Sequence, residues 1–492
     1  MSNQFLLRAL ASAVFSAAVA YTFLPHVKKR KEWLLKAEGR PRYQSQPGFL
    51  LPIACLLPWI LVLARKGALL PHVMLSWSFG IFLHICVYYL LLLPFLPRLR
   101  RLISAEACAM LWLLPTYLYL IHLGFLQPDR PRWVLTLRGS WAGYLPYVWL
   151  VGFLAVLVGK IVGHLLFRRR VMADAQPVND RHTEILWRRA VTDARLDNFT
   201  VRLFTSSGVD APVSIGLFRR TILVVLPRSA HYTAQELALI FRHELIHIER
   251  RDAWTKFFLV FCCAMCWFNP LMWIAMDKSA QDLELSCDEL VLENADAPQR
   301  RTYAQLLLSS AGSSRGFTSC LSSSAEAMRH RLKSAVEPVR RRSGALLLGA
   351  VCFVLFITSG YVSLAYGSQS GAEVLYPNNL VSGRFGTVAL SAEDGGYSYF
   401  ELTDAQPLQD YLSTLTLCRM TGSYTLSESE KVFQCWLRVE DGTSALAIHD
   451  QFLSLTSVNP SGVGVNTYYY LPDGVDWDYL YALVRSCAKR TP

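Results

Sequence analysis

Apolar residues follow two patterns along this chain. In the first third, and again before the last quarter, they run unbroken; elsewhere they return at helical or strand period. The unbroken runs are Phe5 to Leu24, Gly48 to Ala64, Val73 to Leu96, Ile103 to Leu126, Tyr144 to Phe167 and Gly344 to Tyr366. Crossing a bilayer takes about 20 apolar residues, so each is read as a span; the second is the shortest and holds Pro52 and Pro58. Between residues 171 and 342 the pattern is mixed. Thr233-Ala234-Gln235-Glu236 is a capping box, threonine as N-cap with glutamate three residues on. The helix it predicts passes through Leu237, Ile240, Phe241, His243 and His247, then turns strongly charged at Glu249-Arg250-Arg251-Asp252. A strand-like run, Thr221 to Leu226, precedes it, and MDKSAQDLELSCDELVLENA reads as a further helix. Beyond residue 367, Gly386 to Leu390, Tyr397 to Leu402, Val432 to Val439 and Thr467 to Leu471 suit strands, and Asp476 to Cys487 a closing helix.

Composition excludes a single soluble domain: 52% of the 492 residues are hydrophobic and the mean hydropathy is +0.26. Charge then orients the spans. Lys28, Lys29, Arg30, Lys31, Lys36, Arg40 and Arg42 follow the first run, against Arg8 before it, which places the loop in the cytoplasm and the N-terminus outside. The basic cluster follows the apolar run, the reverse of a cleaved signal, so Ala18-Val19-Ala20 is read as part of an uncleaved anchor. Arg98, Arg100, Arg101, Arg168 to Arg170 and Arg340 to Arg342 fall inside by alternation, while the 127–143 loop, with three arginines, falls outside against the rule. The segment from Gly367 to Pro492 carries net −7, leaving +19 on the rest of a chain of formal charge +12. The basic excess sits near membrane ends, and nothing suggests a nucleic-acid groove. The organisation expected is an N-terminal membrane domain over 1–170 with about five helices, a cytoplasmic domain over 171–342, a last span over 343–367 and an extracellular α+β sensor domain over 368–492.

The chemistry concentrates in His243-Glu244-Leu245-Ile246-His247. Two histidines four apart share a helix face, so both imidazoles reach one metal ion, with Glu244 beside it to take a proton from water. Zinc suits such a site because three protein ligands leave a position open. An amphipathic surface helix explains the helix but not the pair and its glutamate. On the later helix Glu284 and Asp288 stand four apart, Glu284 as third ligand and Asp288 as a carboxylate orienting a metal-bound histidine through its free ring nitrogen; the bland reading is a charged helix face. Asp282 and Glu289 lie at other angles and read as solvated charge, and Cys287 as a packing residue. The apolar run Lys256 to Met276 nearly matches a span, yet crossing would part Glu284 from the histidines. Asn269-Pro270 interrupts it, so two helices meeting near Pro270 are expected, buried or against the inner leaflet.

Ala211 to Pro227, HELIHIERRD, CWFNPLMW and ELSCDELVL together resemble the BlaR/MecR-type membrane metallopeptidases, bacterial sensor-transducers for beta-lactams. The resemblance is close over about residues 175 to 340 and loose outside them. It implies a gluzincin-like, mainly α zinc domain in a bacterial cell membrane, with His243, His247 and Glu284 as zinc ligands and Glu244 as the catalytic glutamate. Asp288 matches the second position of the wider family's ExxxD pattern. Thr221 to Leu226 matches the edge strand that pairs with substrate in related peptidases. Substrates would include the protein itself and a winged-helix repressor. The C-terminal segment departs from the family: its one SxxK, Ser486-Cys487-Ala488-Lys489, lies too near the end for SDN-like and KTG motifs to follow, so acylation by beta-lactams is not expected and the extracellular ligand is unknown. Cys418, Cys435 and Cys487 are an odd set in a disulfide-permissive compartment, with a Cys418–Cys435 bridge as one pairing. His182, Tyr303, Arg329 and Arg331 are candidates to stabilise an oxyanion.

The reading is a zinc metalloendopeptidase that converts an extracellular signal into cytoplasmic proteolysis. Its rivals are a housekeeping peptidase for damaged membrane proteins and a non-catalytic receptor with a structural zinc site.

Overall fold

The computed structural model describes residues 3–24, 70–120, 128–197, 199–218, 220–310, 325–337, 341–375, 384–391, 397–422, 424, 431–439, 442–458 and 464–490. The run from Gly48 to Ala64 and the basic loop before it lie outside these. The first part comprises helix α1 (Asn3–Thr22), α2 (Leu70–Leu102), α3 (Ala105–Leu113), strand β1 (Trp133–Leu137) and α4 (Leu145–Met172). Among the described residues three stretches, Phe5–Thr22, Ser78–Leu102 and Ser140–Met172, are long and apolar enough to cross a membrane. Arg100 and Arg101 end α2, and Arg169 and Arg170 end α4, where a helix's partial negative charge favours cations. Of the run from Ile103 to Leu126, the described part makes the apolar helix Ala105–Leu118, its start capped by Ser104, and residues 121–126 lie outside the described residues.

The second part begins with β2 (Gln176–Pro177), α5 (Arg181–Asp193), β3 (Val201–Ser206), β4 (Val213–Ile215) and β5 (Ile222–Pro227). It continues with α6 (Ala234–Arg250), α7 (Asp252–Met265), α8 (Pro270–Val291), α9 (Ala297–Ser310) and α10 (Ala325–Val336). The sheet order is β2-β3-β5-β4. That corrects one expectation: the strand over Thr221 to Leu226 is not an edge. Its six residues Ile222 to Pro227 are all buried, with β3 parallel on one side and β4 antiparallel on the other. A run apolar on both faces suits a central strand, and β4 holds the edge. The capping box closes both ways around Thr233 and Glu236, starting α6 where the sequence placed it. The apolar run after it breaks at Cys266 to Asn269, and the Asn269 side chain caps α8 by accepting from the Leu271 amide at 3.0 Å.

The third part is α11 (Ala345–Thr358), β6 (Val362–Ser370), α12 (Gly371–Leu375), β7 (Arg384–Ser391), β8 (Tyr397–Leu402), α13 (Gln406–Thr414) and β9 (Thr416–Met420). β10 (Val432–Val439), β11 (Gly442–His449), β12 (Phe452–Val458), β13 (Gly464–Tyr470), α14 (Trp477–Cys487) and β14 (Ala488–Arg490) complete it. The run from Gly344 to Tyr366, read as a span, makes a helix of 14 residues and passes into strand by Val362. At 1.5 Å per residue that helix is about 21 Å long, short of a hydrocarbon core of about 30 Å. The C-terminal sheet is ten-stranded, β1-β6-β9-β13-β12-β11-β10-β7-β8-β14. Leu408 and Leu412 of α13 and Leu480 and Val484 of α14 pack on Val388, Phe433 and Ile448. Its first strand is borrowed: β1, from the loop before α4, pairs in parallel with β6. Cys418, Cys435 and Cys487 are free thiols, with β13, β12 and β11 between the strands of the first two.

Candidate metal centre

His243 and His247 project from the same face of α6, and α8 lies across it. The Nε2 atoms of the two rings are 3.1 Å apart. Glu284 Oε2 lies 3.4 Å from the first and 3.6 Å from the second. Bonds of about 2.0–2.1 Å to a tetrahedral zinc separate ligand atoms by about 3.3 Å, so these three atoms stand as ligands would. Glu244, on α6 between the two histidines, is buried, and its Oε2 has no hydrogen-bond partner among the described residues. A buried carboxylate oxygen without a donor is costly, and a water held in the cluster would satisfy it. The residues fit a metal.

Both rings are held from behind. Tyr303 donates its hydroxyl proton to Asp288 Oδ1 at 2.6 Å, and His243 Nδ1 is 2.8 Å from the same hydroxyl. With that proton spent, Nδ1–H must donate to Tyr303, which leaves the Nε2 lone pair for a metal. Arg331 grips Asp288 through Nε at 2.6 Å and Nη2 at 2.8 Å. Asp288 thus reaches His243 through Tyr303, its own oxygen standing 3.6 Å from Nδ1. The carboxylate directly on a histidine is Asp252, 2.6 Å from His247 Nδ1 and clamped by Arg250 at 3.0 and 2.7 Å. Lys256 Nζ lies 3.3 Å from the second oxygen of Glu284.

Charge in the cluster calls for a cation. Burial opposes a charged His243, but the sulfur of Cys287 and the Glu284 carboxylate raise its pKa to about 10. Burial likewise opposes charge on Glu284, yet His247 and Lys256 hold it well below the usual carboxylate range. The Cys287 thiol, which burial alone would raise, is lowered to about 7 by the two imidazoles. A proton on either imidazole would take the place that a metal can fill.

Three sequence readings are corrected here. Cys287 does pack in a buried core with Ile246, Val291 and Leu292, but it is more than a packing residue: its sulfur and one ring nitrogen each of His243 and His247 lie within 4.8 Å of one another, a group that could hold a metal ion. The cause is helical geometry, since Cys287 is three residues from Glu284 and shares its face. Asp282 is not solvated; it is buried, bound to Arg100 Nε and Trp112 Nε1, both at 2.7 Å. Glu289 accepts from the Ala105 amide at 3.1 Å and pairs with Arg341. Both tie α8 to α3. Of the four oxyanion candidates, Tyr303 and Arg331 stand at the cluster. His182 sits in the first turn of α5 beside its cap Asp180, and Arg329 is exposed. The roles of Asp252 and Lys256 carried no sequence signal, because only the fold of α7 against α6 brings them in; Arg250, at the end of α6, joins them by clamping Asp252.

Residues 136–337 match the family model described as BlaR1 peptidase M56. The chain is 25% identical over 212 residues to the regulatory protein BlaR1 of Bacillus licheniformis, which is 42% of this chain and 35% of that one. It is 28% identical over 104 residues to the methicillin resistance mecR1 protein of Staphylococcus aureus strain Mu50, 21% of this chain and 18% of that one. The matched region thus spans about a third or less of these relatives. The resemblance to BlaR/MecR-type proteins is shown over this region, which carries a peptidase domain within a membrane protein.

Proposed function

We propose that this chain is a zinc metalloendopeptidase whose C-terminal domain receives an extracellular signal and whose metal centre answers it with cytoplasmic proteolysis. One observation carries the reading: His243 Nε2, His247 Nε2 and Glu284 Oε2 converge at 3.1 to 3.6 Å, and Glu244, between the two histidines on the same helix, has a buried oxygen without a hydrogen-bond partner among the described residues. A zinc ion bound there would supply a Lewis acid for the peptide carbonyl and a water acidic near neutral pH. Glu244 is the general base, accepting a proton from the attacking water and passing it to the leaving amine. Tyr303 and Asp252 fix the ring planes of His243 and His247 through their Nδ1 atoms. A substrate strand can add to the edge offered by β4 through main-chain hydrogen bonds. Next to β4 and His247 a cavity of about 170 Å³, walled by Ile215, Phe218 and Trp254, gives room for an apolar substrate side chain. Peptide or protein substrates follow, among them the chain itself and a winged-helix repressor.

Cys287 favours a second reading, a closed structural site held by four protein groups in a non-catalytic receptor. The unpartnered Glu244 argues for the peptidase. The test is metal content and processing in purified variants. Glu244→Ala is expected to keep its metal and lose all processing; processing that continues rejects the peptidase. Cys287→Ser is expected to keep both, whereas loss of the metal supports the closed site.

A further inference from the structure

At the other end of the molecule, α1, the 128–134 segment and the C-terminal sheet enclose a cavity of about 760 Å³, within the size range of small-molecule sites. Its chemistry is uneven. Arg8, Arg130 and Arg132 line it against Asp129. Arg8 is 2% exposed, and its Nη2 is committed to the last turn of α11, bonding Phe356 O at 3.1 Å and Ser359 Oγ at 3.2 Å. Its Nε and Nη1 are buried with no hydrogen-bond partner among the described residues. Arg8 and Arg132 both lie 4.9 Å from the centre of the Tyr361 ring. Each guanidinium gains from the ring, but the two repel one another and Arg8 is buried with donors unfilled among the described residues, a balance that a bound anion would improve. Arg130 is otherwise engaged, bound to Asp450 at 2.9 Å. Trp133, Phe452 and Tyr470 add an aromatic face to the remaining wall.

We propose that this cavity binds an organic anion, a phosphate or carboxylate joined to an apolar body, with the anion on Arg8 and Arg132 and the body against the aromatic wall. The anion can come from a soluble molecule or from a lipid headgroup, since α1 is apolar enough to lie in a membrane. The proposal stands whether or not the metal centre is a peptidase, and binding is read without proteolysis.

The test uses the full chain in phosphatidylcholine discs titrated calorimetrically with phenyl phosphate, and in discs containing phosphatidylglycerol with retained lipid counted by native mass spectrometry. Saturable one-site binding is expected in at least one arm, weakened about tenfold or more in Arg132→Gln, as loss of a charge-assisted hydrogen bond implies. Binding in the first arm assigns a soluble anion; binding in the second, a lipid. Arg8→Gln should abolish it, but Arg8 also holds the end of α11, so the exposed Arg132 decides. Absence of binding in both arms, or equal binding by Arg132→Gln, overturns the proposal.

Discussion

At the scale of single residues, the candidate metal centre is built from side chains each held by a second one. His243 leans on Tyr303, Tyr303 on Asp288, and Asp288 on Arg331. Removing the hydroxyl in Tyr303→Phe leaves the three candidate ligands in place but frees the His243 ring to turn. Metal affinity should fall about 10- to 100-fold, the usual cost of losing such a support; competition with a chromogenic chelator measures it, and unchanged affinity would remove Tyr303 from the site. Much of this scale was legible in the sequence. HELIH and Glu284 stood out by spacing. Cys287 is visible by the same i, i+3 rule; Asp252 is not, since it contacts His247 only because Arg251 takes a left-handed conformation (φ 56°) between α6 and α7.

Between elements, buried charge does the joining. α8 is fastened to α2 and α3 by Asp282, which Arg100 and Trp112 neutralise and satisfy. Arg100→Ala would leave a buried carboxylate unpaired, at a cost of about 3 kcal/mol, read as a lowered denaturation midpoint in detergent. A midpoint within error of wild type would mean that Asp282 finds water instead. The junction of α4 with the peptidase part depends on Asp174, which accepts from the Ser206 hydroxyl at 2.6 Å and the Ser207 amide at 3.0 Å. These hydrogen bonds hold its carboxyl well below the usual carboxylate range. A depressed folded-state pKa stabilises above the unfolded value of about 3.9 and is lost as pH falls through the lower folded one. Hence the difference in melting temperature between wild type and Asp174→Asn should be full at pH 6 and shrink below about pH 4. A gap constant with pH would assign the difference to packing.

For the whole molecule, the loop ahead of α4 is part of the C-terminal sheet. Because β1 pairs with β6, any movement of that sheet acts on the chain leading directly into α4 and the peptidase part. Removing residues 370 to 492 is therefore expected to change self-processing by about fivefold or more, the scale of ordinary coupling between sites, as followed by immunoblot. Processing at an unchanged rate would favour the housekeeping alternative. Period and length in the sequence revealed the C-terminal strands and the apolar runs, but they could not show a strand borrowed across more than two hundred residues.

By itself the sequence determined which segments are apolar enough to leave water, where α6 begins, and which residues are candidates for metal chemistry, because period, capping and spacing are local properties. Tertiary structure decided the rest. It set β5 in the middle of its sheet and β4 at the edge, buried Asp282, and turned Cys287 toward the histidines. It ended α11 after 14 residues and buried two nitrogens of Arg8 without hydrogen-bond partners among the described residues, at the wall of a cavity. Each of these depends on which distant surface packs against a residue, and burial and pairing between remote segments have no period to read.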